Sequence, residues 1–162
     1  MYRLAITARV VENQEYTETR DAISHDWVRF FETIIPDCLI AVIPTQTSDP
    51  KQWLKHYSID GVVLSNGEDI SASPDRDRLE YEIIRHCLKS RIKVFGACRG
   101  LQVINRYFGG GRPTELKKTV GVNHIATSHV VQIVDKKYRY DCLDEISVNS
   151  YHQQGVLNTD LS

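Results

Sequence analysis

Residues Lys93–Phe108 join a short apolar run to an amphipathic one through Gly96-Ala97-Cys98-Arg99-Gly100, a cysteine held between two glycines. Lys93–Phe95 reads as a strand. Leu101–Phe108 reads as a helix with Leu101, Ile104, Tyr107 and Phe108 on one side. A strand that turns directly into a helix around such a cysteine has the build of a nucleophile elbow. The glycines leave room for a tight turn, the side chain stands clear, and the positive end of the following helix stabilises anionic sulfur. A cysteine so placed can attack a carbonyl carbon. The competing explanation is a buried strand-end cysteine whose glycines serve packing alone.

The rest of the chain repeats the strand-to-helix rhythm. Tyr2–Val10 is a strand candidate. Asp26–Ile35 is helical by its Trp27, Phe30, Phe31, Ile34 spacing. Cys38–Ile43 reads as a buried strand, Pro50–Tyr57 as a short helix and Gly61–Leu64 as a third strand. Ser73-Pro74 opens a long helix, with serine as its cap, proline in its first turn, and Leu79, Ile83, Cys87 and Leu88 as its apolar stripe. This alternation predicts an α/β fold: three layers, a mainly parallel sheet with helices on both faces. Ligands of such sheets bind at the carboxyl ends of the strands. The Asn66-Gly67 loop and Cys98 both fall there. After Gly111 the rhythm changes. Arg112–Thr127 is polar and irregular, and His129–Val134 and Asp144–Ser150 are strand candidates. The sequence ends on the polar Asn158–Ser162, with no apolar closing element.

A chain of 162 residues with this pattern is expected to form one domain. Its net charge of -1 gives no electrostatic grip on nucleic acid or on an acidic membrane. No apolar run reaches the roughly 20 residues of a membrane span, and the start is too short for a signal peptide. The cysteines at 38, 87, 98 and 142 contain no Cys-x-x-Cys pair. A metal site is therefore not expected, and free thiols in a reducing, cytoplasmic compartment are.

A thiol nucleophile needs a base, donors for the developing oxyanion and groups that hold the acyl part. The N–H of Arg99, just after the cysteine, is one donor. The Asn66-Gly67 turn is a second donor or an ordinary turn. Gln102 lies one helical turn beyond Cys98, where its amide meets a polar substrate or faces solvent. The Arg99 side chain meets a carboxylate or is solvated. Six histidines (25, 56, 86, 124, 129 and 152) are candidates for the base, and spacing does not choose among them.

Gly96-Ala97-Cys98-Arg99-Gly100-Leu101-Gln102 resembles the G-x-C-x-G-x-Q nucleophile motif of class I glutamine amidotransferases. Leu64-Ser65-Asn66-Gly67-Glu68-Asp69-Ile70 is similar to their oxyanion-loop segment, and Arg76-Asp77-Arg78-Leu79-Glu80-Tyr81-Glu82 to the helix that precedes the nucleophile strand. Val148-Asn149-Ser150-Tyr151-His152-Gln153-Gln154 resembles a V-N-S-x-H-x-Q segment. Together these point to the γ-glutamyl-γ-aminobutyrate hydrolase branch, also called peptidase C26, over about residues 2–156. Ile6-Thr7-Ala8-Arg9 and the helix around Trp27 further resemble γ-glutamyl nucleotide-amidate hydrolases of capsule synthesis.

The resemblance implies a flavodoxin-like amidotransferase domain that works without metal or organic cofactor. It implies attack by Cys98 on a small-molecule γ-glutamyl amide, oxyanion donors at Gly67 and Arg99, and substrate contacts from Gln102, Asn66 and His152. Three departures qualify it. Asn66 replaces a glycine. Glu68 replaces an asparagine and brings a negative charge near a substrate carboxylate. The family's catalytic histidine and glutamate come from a later His-Pro-Glu motif, and the sequence given stops before one. His152 matches the upstream segment and is not that histidine. Two function classes follow: a cysteine-dependent γ-glutamyl amide hydrolase working through a glutamyl thioester, or an inactive glutamyl-binding subunit serving a synthase or acceptor partner. A chaperone or deglycase of the same fold is disfavoured by Gln102 and the Val148–Gln154 segment.

Overall fold

The computed structural model describes residues 1–119, 121, 123–135, 137, 139 and 143–162. Cys142 lies outside them. The chain divides into two units, Met1–Gly111 with Ser162, and Arg112–Leu161.

In the first unit four parallel strands lie in the order β4-β1-β5-β6: β1 Arg3–Thr7, β4 Leu39–Ile43, β5 Gly61–Leu64 and β6 Lys93–Gly96. Each pair is in continuous register, for example Ala5 with Ala41 and with Val62, and Val63 with Phe95. Side chains alternate across the sheet, as strand geometry requires. Leu4, Ile6 and Val63 pack with Phe31 of helix α1 (His25–Ile34) on one face. Ala5, Val62 and Leu64 pack on the other, against Leu54 of α2 (Pro50–His56), Leu79, Ile83, Ile84 and Cys87 of α3 (Pro74–Ser90), and Val103 of α4 (Arg99–Tyr107). This is a parallel sheet with helices on both faces. The carboxyl ends of β1, β5 and β6 lead to Thr7, Ser65 and Ala97.

Several expectations need correction. The run expected as one strand over Tyr2–Val10 breaks at Ala8. Arg9–Glu12 leaves the sheet as β2 and forms an antiparallel hairpin with β3 (Thr19–Ala22). Its exposed charged residues would be costly between two packed layers. β4 is an edge strand with Leu39 and Val42 exposed, not a buried one. Ser73 sits at the N-cap of α3 without a capping side-chain hydrogen bond. Leu88 is exposed, and Ile84 takes its place in the stripe. On α4 the expected apolar side is turned outward at Leu101 and Phe108. The inward side carries Arg99, Gln102, Val103 and Asn105. Ile104 and Tyr107 of the expected side do pack against the core, so apolar periodicity errs only at Leu101 and Phe108 and misses the buried polar residues.

In the second unit, the stretch expected to be irregular holds β7 (Thr114–Glu115) and α5 (Leu116–Thr119). β8 (Ile125–Gln132) and β9 (Glu145–Tyr151) form an antiparallel hairpin with an irregularity between Ile125 and Thr127. β10 (Gln154–Gly155) pairs with β7, and a single 3₁₀ turn covers Asn158–Asp160. Among the described residues no helix is long and apolar enough to cross a membrane.

The inward side of α3 predicts an asymmetry. Leu79→Ala removes a fully buried side chain and should cost about 2–5 kcal/mol. Leu88→Ala, on the exposed side, should stay within about 0.5 kcal/mol. Urea unfolding of both variants checks the assignment.

Candidate functional site

Cys98 joins β6 to α4. It is exposed and holds φ 52°, ψ -110°, a left-handed backbone that a residue with a Cβ adopts only under strain of about 1–3 kcal/mol. Its flanking glycines are there for space. A Cβ on Gly100 would lie 2.0 Å from the Leu64 carbonyl oxygen, and one on Gly96 would lie 2.6 Å from Gly100 and from Ile104. The first turn of α4 therefore packs backbone to backbone against β5, which a larger residue would forbid. The glycines thus serve packing, and what departs from the buried-cysteine explanation is that Cys98 itself is exposed.

Beneath the elbow lies a buried ionic cluster. Arg76, Glu80 and Arg99 are almost fully excluded from solvent. Arg76 Nε donates to Glu80 Oε1 at 3.0 Å, and its Nη1 donates to Glu68 Oε2 at 2.9 Å. Its Nη2 donates to the carbonyls of Ser65 (3.1 Å) and Asn66 (3.2 Å). The Arg99 guanidinium bonds to Asp77 and Glu80. Thr7 donates its hydroxyl to Glu80 Oε1 at 2.7 Å, and Ser65 Oγ donates to the Thr7 carbonyl at 2.6 Å. The ends of β1 and β5, helix α3 and the start of α4 are thus tied into one polar cluster.

The sequence had left open whether Arg99 is solvated. Its side chain is buried on two carboxylates. The charge feared at Glu68 is neutralised by Arg76, and the same carboxylate accepts from the Val10 N–H at 3.3 Å. Gln102 is 7% exposed, so it is not a helix-surface glutamine. Asn66 is exposed, and its Oδ1 accepts from Trp27 Nε1 at 3.0 Å. Gly67 crowds Arg76 so closely that a Cβ there would meet Nη1 at 2.3 Å. Cys98, Arg99, Gln102, Asn66 and Gly67 therefore all belong to the carboxyl-end region of the first unit.

His152 belongs to the second unit. Its Nδ1 is 2.9 Å from the Gln154 carbonyl, and its ring packs 4.9 Å from that of His124, which also meets His129 at 4.7 Å. Burial lowers the pKa of His124, and the neighbouring His129 and His152 add to the effect. Among the described residues no group of three or more histidine, cysteine or acidic side chains could hold a metal ion. The Cys98 side chain makes no capping hydrogen bond to the first turn of α4.

Reasoning from sequence assigned no role to Thr7, Arg76 or Glu80. One signal was available: an Arg–Glu pair at i, i+4 on the apolar stripe of a helix, where both residues must be buried together. The Trp27–Asn66 bond had no local signal, because its partners are far apart in the chain.

The model of the family described as Peptidase C26 matches residues 4–161. The chain is 32% identical over 111 residues to the gamma-glutamyl-CDP-amidate hydrolase of Campylobacter jejuni, covering 65% of this chain and 54% of that protein. It is 33% identical over 106 residues to the gamma-glutamyl-gamma-aminobutyrate hydrolase PuuD of Escherichia coli K12, covering 56% of this chain and 42% of that one. These matched stretches are about half of each relative. A solved structure from Thermoplasma acidophilum, described as a GMP synthase subunit, superposes with a TM-score of 0.62 at 18% identity. The match covers 98% of this chain and 68% of that one, and the two share the fold.

Two thiols should separate in the native protein. Burial pushes the Cys87 thiol up to about 11, so it stays protonated and shielded at pH 8, whereas Cys98 is exposed. Iodoacetamide at pH 8 should modify Cys98 within minutes and Cys87 only after denaturation, read by peptide mass mapping. A second variant tests the cluster. Glu80→Gln leaves both arginines short of a buried counter-charge and should destabilise the fold by about 3–5 kcal/mol in urea unfolding.

Proposed function

The chain belongs to the peptidase C26 family, and on that premise we propose that it cleaves a γ-glutamyl amide with Cys98 as nucleophile. The elbow carries this reading: an exposed cysteine in a strained backbone at the head of a nine-residue helix, braced by the same buried cluster as the Asn66-Gly67 loop. Two of the relatives are named for γ-glutamyl bonds to different partners, which supports a common glutamyl half and a variable leaving amine.

In this proposal the Cys98 thiolate attacks the γ-carbonyl carbon, and the carbonyl π-electrons move onto oxygen. The N–H groups of Gly67 and Arg99 stabilise that oxyanion. Collapse of the tetrahedral species breaks the C–N bond, and the amine leaves with an added proton. Water then attacks the glutamyl thioester, releases glutamate and returns the thiol. Gln102 and Asn66 hold the substrate. No cofactor enters these steps.

A second reading is favoured by one observation. His152 is bonded to Gln154 and packs on His124, which packs on His129, so these three rings are engaged with one another in the second unit. In that reading the unit binds the glutamyl group, in the service of a partner protein, without turnover.

A glutamine-derived chloroketone should alkylate Cys98, and Cys98→Ala should abolish labelling. On the hydrolase reading, amine release from a γ-glutamyl amide falls at least about a thousand-fold in Cys98→Ala. Labelling without release selects the binding role. A folded, reduced protein whose Cys98 resists the reagent refutes both.

A further inference from the structure

A cavity of about 420 Å³ opens beside the elbow, bounded by Trp27 and Phe30 of α1, Phe95 of β6, Asn66 and Ala97. Two of its walls adjoin the proposed machinery: Ala97 precedes Cys98, and Asn66 precedes Gly67. Cys98 and Gly67 are thus each one residue from its lining.

The walls are aromatic. Phe95 pairs in register with Val63, whose side chain lies on the α1 face, so Phe95 points to that face too. It remains 52% exposed at the sheet edge, and Phe30 is 44% exposed. Trp27 is already fixed. One ring face stacks on Phe31 at 5.7 Å and 14°, Phe30 meets it edge-on at 6.2 Å, and its N–H is bonded to Asn66. Such a preset aromatic corner favours a flat ring, which can stack or meet edges at little entropic cost.

The charge pattern narrows the occupant. Asp26 is the one charged residue on the lining, and Ser24 is its polar neighbour. Among the described residues no lysine, arginine or histidine lines the cavity. An anionic group placed there would meet Asp26, and the Arg29 guanidinium beside it is already engaged with that carboxylate at 3.1 Å. An uncharged ring bearing N–H donors has acceptors in Asp26 and Ser24.

We propose that this cavity is the leaving-group subsite, and that it takes an amine carrying an uncharged aromatic or heteroaromatic ring rather than an anionic tail. The proposal rests on the γ-glutamyl reading and deepens it. Trp27 then has two functions: it forms a wall for the ring and holds the Asn66 side chain of the oxyanion loop.

The test is binding to Cys98→Ala, so that no thioester forms. The protein has two tryptophans, and Trp53→Phe identifies the Trp27 indole N–H in NMR spectra. Three probes are titrated: γ-glutamyl-benzylamide, γ-glutamyl-γ-aminobutyrate and N-benzylacetamide. The benzylamide should shift the Trp27 indole signal and bind about ten-fold more tightly than the aminobutyrate, the factor expected of one added aromatic contact. Phe30→Ala should lose that preference. Phe30→Leu keeps the apolar bulk without the ring and should lose most of it, which separates ring recognition from a packing defect. Equal or weaker binding of the benzylamide, or an unmoved Trp27 signal, overturns the subsite. If N-benzylacetamide binds as tightly as γ-glutamyl-benzylamide, the ring site stands and its leaving-group role is refuted. If the aminobutyrate binds and no benzyl probe moves Trp27, the γ-glutamyl reading stands and the subsite fails.

Discussion

The pairing of Arg76 and Arg99 around Glu80 is the interaction on which the region depends. Isolated charges at this depth would cost several kcal/mol each. Here two guanidiniums meet the carboxylates of Glu68, Asp77 and Glu80, and Thr7 and Ser65 supply further polar contacts. Coulomb attraction and hydrogen bonds can offset the desolvation only while all partners keep their positions. A cluster of this kind tolerates little drift. It spans two strand ends and two helices, so it fixes α3 and α4 relative to β1 and β5. Ordinary apolar packing resists sliding less sharply, because it has no comparable directionality.

That fixity is what a strained elbow requires. Left alone, Cys98 would relax from φ 52° toward an ordinary backbone. Relaxation would move the first turn of α4, which carries Arg99. The Arg99 bonds to Asp77 and Glu80 oppose this from one side. From the other, Gly100 lies so close to Leu64 that the turn has no room to advance. Polar bonding and steric contact hold the same turn, and the cysteine stays outward because its neighbours are anchored inward.

These mechanisms explain what could be read in advance. The parallel sheet was legible because Gly61–Leu64 and the neighbouring apolar runs must be buried, and the elbow because two glycines around a cysteine have few other uses. Residues 99–107 were misread at the face level. Periodicity finds apolar stripes, but the inner side of α4 mixes Val103, Ile104 and Tyr107 on the apolar core with buried Arg99, Gln102 and Asn105. The departure at Glu68 looked unfavourable only because its partner Arg76 was invisible as such. The β2–β3 hairpin escaped for another reason: Val10-Val11 continues the β pattern of the first strand, and nothing local marks the change of partner at Ala8. Of the residues named for the site, those on strand ends of one sheet could be grouped by topology. His152, on the other unit, could not.

The Asn66-Gly67 loop shows how the buried cluster reaches outward. The Asn66 carbonyl and the Gly67 N–H belong to one peptide group. In a planar trans peptide the two point in opposite directions. Arg76 Nη2 donates to that carbonyl at 3.2 Å, which turns it toward the buried cluster. The Gly67 N–H is therefore directed away from the cluster. The Asn66 side chain is held separately by the Trp27 indole. One peptide plane is thus set from within by an arginine, and the adjoining side chain from the surface by a tryptophan. A glycine at 67 is needed for the loop to come this near Arg76. In the proposed mechanism, a donor fixed in this way needs no reorganisation as charge develops on a carbonyl oxygen. The arginine contributes through the direction it imposes on a neighbouring dipole, from a position where it touches no solvent.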